Sequence, residues 1–169
     1  MKKLFPIVAL LATLMSQQGF AQDNAKSQTS TLLSSYFSLK DALVKTNGPL
    51  ASESAGLMLL AIDSIDKTAL NTEEHATWTK VEKSIKFNAQ HIKENKDPEH
   101  QREHFIALSK SMYDFIKVVK PSETVYYQFC PMANDGKGAN WLSKESAIKN
   151  PYYGSRMLSC GKTVEIIKQ

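Results

Sequence analysis

Between Thr31 and Pro121 the apolar residues recur every three or four positions, in four runs cut apart by helix-breaking residues. That period buries one stripe of a helix and leaves the rest in water. The first run carries Leu32, Tyr36, Leu39, Leu43 and Val44, and ends at Asn47-Gly48-Pro49. The second, Ser52 to Ile65, carries Leu57, Leu60, Ala61 and Ile65, with Ser52 placed to cap its start. The third, Thr72 to Glu94, carries Trp78, Val81, Ile85, Ala89 and Ile92 behind a Thr72-Glu73-Glu74 start that suits the positive end of a helix dipole. After a turn with Asp97 as cap and Pro98 in the first turn, the fourth carries Phe105, Leu108, Met112, Phe115 or Ile116, and Val119, until Pro121 stops it. Four amphipathic helices on short turns predict an up-down bundle.

Beyond Pro121 the character changes. Thr124–Phe129 and Lys162–Ile167 are rich in β-formers, and Pro131, Gly136, Gly138, Pro151, Gly154 and Gly161 lie between or beside them. A two-stranded hairpin enclosing a long ordered loop is expected, packed against the end of the bundle. The fold class is therefore mostly α: a four-helix bundle at 31–120 with a small β-hairpin and loop segment at 121–169, one domain in all. A loop of that length in a compact domain is functional or stapled.

The first 21 residues read as a secretory signal peptide: Lys2 and Lys3, an apolar run from Leu4 to Met15, and small residues at Gly19 and Ala21 before Gln22. Cleavage after Ala21 places the protein in the periplasm or outside the cell. No later segment is apolar enough to span a membrane. Residues 22–30 are polar and are expected to form a flexible leader. Without Lys2 and Lys3 the formal charge falls from +4 to +2, spread along the chain. A nucleic-acid partner needs a clustered basic face and is not expected. No phosphate loop, CxxC pair or framed nucleophile is present, so an enzyme is not expected either.

Both cysteines, Cys130 and Cys160, fall in the C-terminal segment, each with a methionine nearby, Met132 and Met157. Thiolate and thioether are soft ligands and favour Cu(I). Were the strand to run on through Met132, Cys130 and Met132 would face the same side. Two thiolates joined by two imidazoles would instead suit Zn(II). His91 and His104 reach similar heights if the third and fourth helices are antiparallel, which makes them candidate ligands. His100 stands four residues before His104, a chelating spacing, but is left aside with His75 as a solvated helix residue. The competing reading is a Cys130–Cys160 disulfide closing the loop, the ordinary fate of two cysteines in an oxidising compartment. It would contribute about 3–4 kcal/mol in the chain-entropy account. Methionine is in any case a common filler of small cores. Trp141, Tyr152 and Tyr153 read as anchors for the loop.

The run YYQFCPMA, then WLS, then IKNPYYG, then ML followed one residue later by CG, resembles the DUF3347 domain family, and HIKENKDPEHQREHFIALS fits its pattern upstream. The resemblance covers roughly Thr31 to Ile167. It implies an exported bacterial domain, also found appended to CusB-like membrane-fusion proteins of heavy-metal efflux pumps. By that company it implies handling of copper or a related metal, with hand-over to an efflux membrane-fusion or other envelope protein. The alternative is a disulfide-stabilised helical interaction module of the envelope that holds no metal.

Overall fold

The computed structural model describes residues 5–168, with side chains described from Ala25 onward. The expected signal peptide, with its cleavage point after Ala21, lies outside the residues whose side chains are described. Four helices follow one another: α1 (Phe5–Val44), α2 (Gly48–Asp63), α3 (Thr72–Glu94) and α4 (Pro98–Val119). Each packs on its neighbour in sequence, and α4 also meets α1, which closes the bundle. Among the described residues no helix is long and apolar enough to cross a membrane.

The helix ends follow from local chemistry. Asn47 accepts from the Leu50 N–H and caps α2, with Pro49 in its first turn, so the cap falls on Asn47 rather than on Ser52. Asn71, not Thr72, caps α3, and it exchanges bonds with Glu74 as a full capping box. Asp97 caps α4 as expected. Residues 22–30 do not form a separate leader in their described part. From Ala25 they continue α1, with Ala25 and Thr29 buried. These two stand four apart, as do Thr29 and Leu33, so one apolar face extends a turn further than the polar composition suggests.

The C-terminal segment is a three-stranded antiparallel sheet, ordered β2-β1-β3, of β1 (Val125–Cys130), β2 (Ala139–Ser143) and β3 (Lys162–Ile167). The expected pairing of the first and last strands is present, with a register shift between Tyr127 and Gln128. The difference is β2, which lies within the expected loop and pairs along β1 from Tyr126–Ser143 to Cys130–Ala139. The turn between β1 and β2 needs several positive-φ residues (Asn134, Asp135, Gly136 and Gly138), which is why it did not read as a hairpin. β2 lies against α4. The shared core joins both parts, from Trp78, Phe105 and Phe115 in the helices to Trp141 and Leu142 in the sheet.

Candidate metal-binding residues

Cys130 is the last residue of β1 and is fully buried, while Cys160 precedes β3 and is half-buried. Because β1 and β3 are paired neighbours, residues thirty apart in sequence meet. Their sulfurs lie 2.8 Å apart, and both are free thiols. A disulfide bond is about 2.05 Å long, so the cross-link of the competing reading is not formed in this structure. The hydrogen bond with Cys130, and then burial, hold the Cys160 thiol above its ordinary pKa. It is therefore protonated at neutral pH, and a metal must displace its proton to bind.

Two groups fix Cys160. Asn150 is fully buried, donates to the Cys160 carbonyl at 2.9 Å and accepts from the Tyr152 N–H at 2.8 Å. Gly161 has φ 141°, and a Cβ there would stand 2.8 Å from the Phe129 carbonyl oxygen and 2.9 Å from the Trp141 ring.

Contrary to expectation, Met132 does not share a face with Cys130. β1 stops at Cys130, and Pro131 and Met132 enter a turn in which the Met132 N–H lies against the Cys160 thiol. Met132 is 52% exposed while Cys130 is wholly buried, so the two do not share a face. The Met132 carbonyl instead accepts from Tyr153 Oη at 2.6 Å. Met157 is half-buried one turn before Cys160, whose N–H bonds to the Met157 carbonyl at 3.1 Å.

His91 and His104 do come together. The antiparallel course of α3 and α4 stacks their rings at 4.5 Å, tilted by 15°. His100 joins them, its ring 4.8 Å from that of His104. One ligand nitrogen from each of the three lies within 4.8 Å of the others. His104 Nδ1 is 3.0 Å from Asn88 Oδ1. Burial first, then the neighbouring imidazoles of His91 and His100, hold the His104 ring below the usual imidazole pKa. His75, at the far end of α3, is exposed and apart. The i, i+4 spacing of His100 and His104 was the visible signal for the third ring. What it lacked was a reason to prefer a ligand to a solvated side chain.

Arg102, which sequence patterning did not single out, ties the two regions to the bundle. Its guanidinium donates to the carbonyls of Pro151 at 2.9 Å and Leu43 at 3.1 Å, to Thr46 Oγ1 at 2.9 Å and to Glu99 at 2.9 Å. Arg156 also pairs with Glu99, at 2.6 Å. The segment that carries Asn150 and Cys160 is thereby held against the start of α4, the helix that bears His100 and His104.

A family described as a protein of unknown function, DUF3347, has a model that matches residues 32–124. The match runs from Leu32 within α1 through α2, α3 and α4 and ends just before β1. No curated protein and no solved structure matches the chain.

Proposed function

The chain belongs to the DUF3347 family, and from that premise we propose that it is an exported metal-binding protein which takes up copper, or a comparable soft ion, and hands it on. One observation carries the reading: two thiols from opposite ends of a long segment converge to 2.8 Å at the rim of the sheet. Soft sulfur in low coordination suits Cu(I). Cys130 is fixed at the strand end and Cys160 is open on one side, which suits transfer by ligand exchange. An ion between two sulfurs, at about 2.3 Å from each as in zinc thiolates, spreads them beyond their present separation. Cys160, on the more open side, is the group that moves. The signal-like start of the chain supports export. The resemblance to domains appended to efflux membrane-fusion proteins supports an envelope partner for hand-over.

The same separation favours a second reading, a helical interaction module stapled by a disulfide, because the sulfurs need little movement to bond. Cu(I) titration of the reduced protein against a chromophoric chelator, without oxygen, separates the two. Stoichiometric competition that disappears in the Cys130→Ser, Cys160→Ser double variant supports copper handling. Absence of competition by the reduced protein overturns it and leaves the staple.

A further inference from the structure

A second group of ligands lies apart from the thiols, at the turn joining α3 to α4. We propose that His91, His100 and His104 form a site for a borderline divalent ion of the zinc or copper(II) kind, with Asn88 as its positioning residue. The site has three protein ligands and one position open to water or an incoming ligand.

The two helices present the rings in a register that cannot slip. Gln101 is fully buried, and the two N–H groups of its side-chain amide are shared among the carbonyls of Asn95 at 2.6 Å, Gly48 at 3.0 Å and Ile92 at 3.1 Å. That fastens the turn between α3 and α4 to both helices and to the start of α2. Lower on the pair, Ser111 Oγ donates to Ser84 Oγ at 2.9 Å.

Asn88 settles which nitrogen of His104 is free. Its Nδ2 donates to the Ser84 carbonyl at 2.8 Å, which turns Oδ1 toward His104. An amide oxygen can only accept, so the proton of the neutral ring sits on Nδ1 and the Nε2 lone pair is available. Imidazole ligands in metal sites are oriented by such an acceptor on the other ring nitrogen. Phe87 packs on one side, its ring 4.4 Å from that of His91.

The distances suit closure around an ion. Three nitrogens at about 2.0–2.1 Å from a tetrahedral ion stand roughly 3.3 Å apart. One nitrogen of each ring lies within 4.8 Å of the others, so closure needs an approach of about 1.5 Å together with a turn of the His91 ring out of its stack on His104, since imidazole lone pairs lie in the ring plane. His91 and His100 are partly exposed and free to rotate, while His104 is anchored. Glu103 Oε2 is 3.9 Å from His100 Nδ1 and offsets the positive charge of a bound ion. An all-imidazole set selects borderline ions over hard ones such as magnesium, which prefer oxygen. Three ligands with an open fourth position mark an exchangeable site rather than a closed structural one.

The test separates this site from the thiol pair. Zn(II) is titrated by calorimetry, with the histidine ring signals followed by NMR, into the Cys130→Ser, Cys160→Ser double variant. The single Cys160→Ser variant, which leaves the buried position untouched, serves as a parallel arm. The expected result is one Zn(II) per chain, undisturbed by Mg(II), with the signals of His91, His100 and His104 shifted and that of His75 unmoved. Binding is lost in His100→Ala. It weakens about tenfold to a hundredfold in Asn88→Ala, and returns in Asn88→Asp, whose carboxylate accepts the same proton. Unchanged affinity in His100→Ala, competition by Mg(II), or no Zn(II) binding in either arm overturns the site. Equal weakening in Asn88→Ala and Asn88→Asp overturns the positioning role. Either failure leaves the Cu(I) reading of the thiols to stand or fall by its own titration.

Discussion

Tyr36 Oη, on α1, accepts a hydrogen bond from the Leu142 N–H of β2 at 3.1 Å, across 106 positions of sequence. The same oxygen lies 2.7 Å from Ser109 Oγ on α4. The Tyr36 ring stacks on Phe105 at 5.3 Å. One buried phenol thus joins two helices to the sheet, and burial pushes its pKa well above the usual tyrosine value. Tyr36→Phe keeps the ring and leaves the Leu142 N–H without its partner. The expected cost is about 1–3 kcal/mol of stability, read from denaturant unfolding. A loss near zero would show that the sheet does not depend on this bond.

Arg102 is the second tie. Replacement by Met keeps most of its volume but leaves the buried Pro151 carbonyl without its donor, while the Leu43 carbonyl keeps only the Thr46 N–H, and is expected to cost on the order of 1–3 kcal/mol. Arg102→Lys retains the charge without the planar fork and recovers only part of this. Hydrogen exchange is expected to rise in the segment around Asn150 and Pro151 in both variants. Equal stability of the Lys and wild-type proteins would argue against the fork.

Asn150 and Gly161 hold Cys160 beside Cys130. Asn150→Ala removes the bond to the Cys160 carbonyl, and Gly161→Ala drives a methyl group into the Phe129 carbonyl. Both variants are expected to form the Cys130–Cys160 disulfide more slowly than wild type under a mild disulfide oxidant, by thiol counting over time. An unchanged rate in both would mean that Cys160 finds its partner without them.

Glu165 accepts from Tyr113 Oη at 2.6 Å, and Lys117 Nζ lies 3.3 Å from its other oxygen. The bond from Tyr113, then Lys117, hold this carboxyl below the ordinary value of 4.5. A carboxyl lowered in the folded state contributes stability above its unfolded pKa, and the contribution fades as pH falls through the folded one. Tyr113→Phe should therefore raise the Glu165 titration midpoint in NMR. The stability gap between variant and wild type should narrow below about pH 4.5. A gap that stays constant into acid would assign the effect to ring packing with Tyr127, stacked at 3.8 Å, instead.

The helices were legible because burial of one face leaves a period in the chain. Trp78, Ile85, Ala89 and Ile92, expected on one stripe, are all buried in α3. Leu57 and Leu60 were expected on the core stripe of α2 but are 55% and 68% exposed, with Met58, Leu59 and Ile62 taking the inward positions. In a helix so apolar, periodicity alone does not say which face turns inward. The strand β2 was hidden because its turn depends on left-handed residues at Asn134 and Asp135, which sequence tolerates without advertising. Among the site residues, the approach of His91 to His104 was readable from the direction of the two helices. Met132 was not, since its placement turned on where β1 ended.

By itself the sequence determined four helices, the Asp97 cap of α4, and the chemical inventory of two thiols and four imidazoles. These depend on neighbours within a few residues, where period and capping act. Only the tertiary structure decided that His100 joins His91 and His104, that Asn88 Oδ1 faces His104 Nδ1, and that Cys160 rests against Cys130. Those meetings depend on the crossing of α3 with α4 and the pairing of β1 with β3. Such contacts join residues far apart in the chain, so no local pattern specifies them.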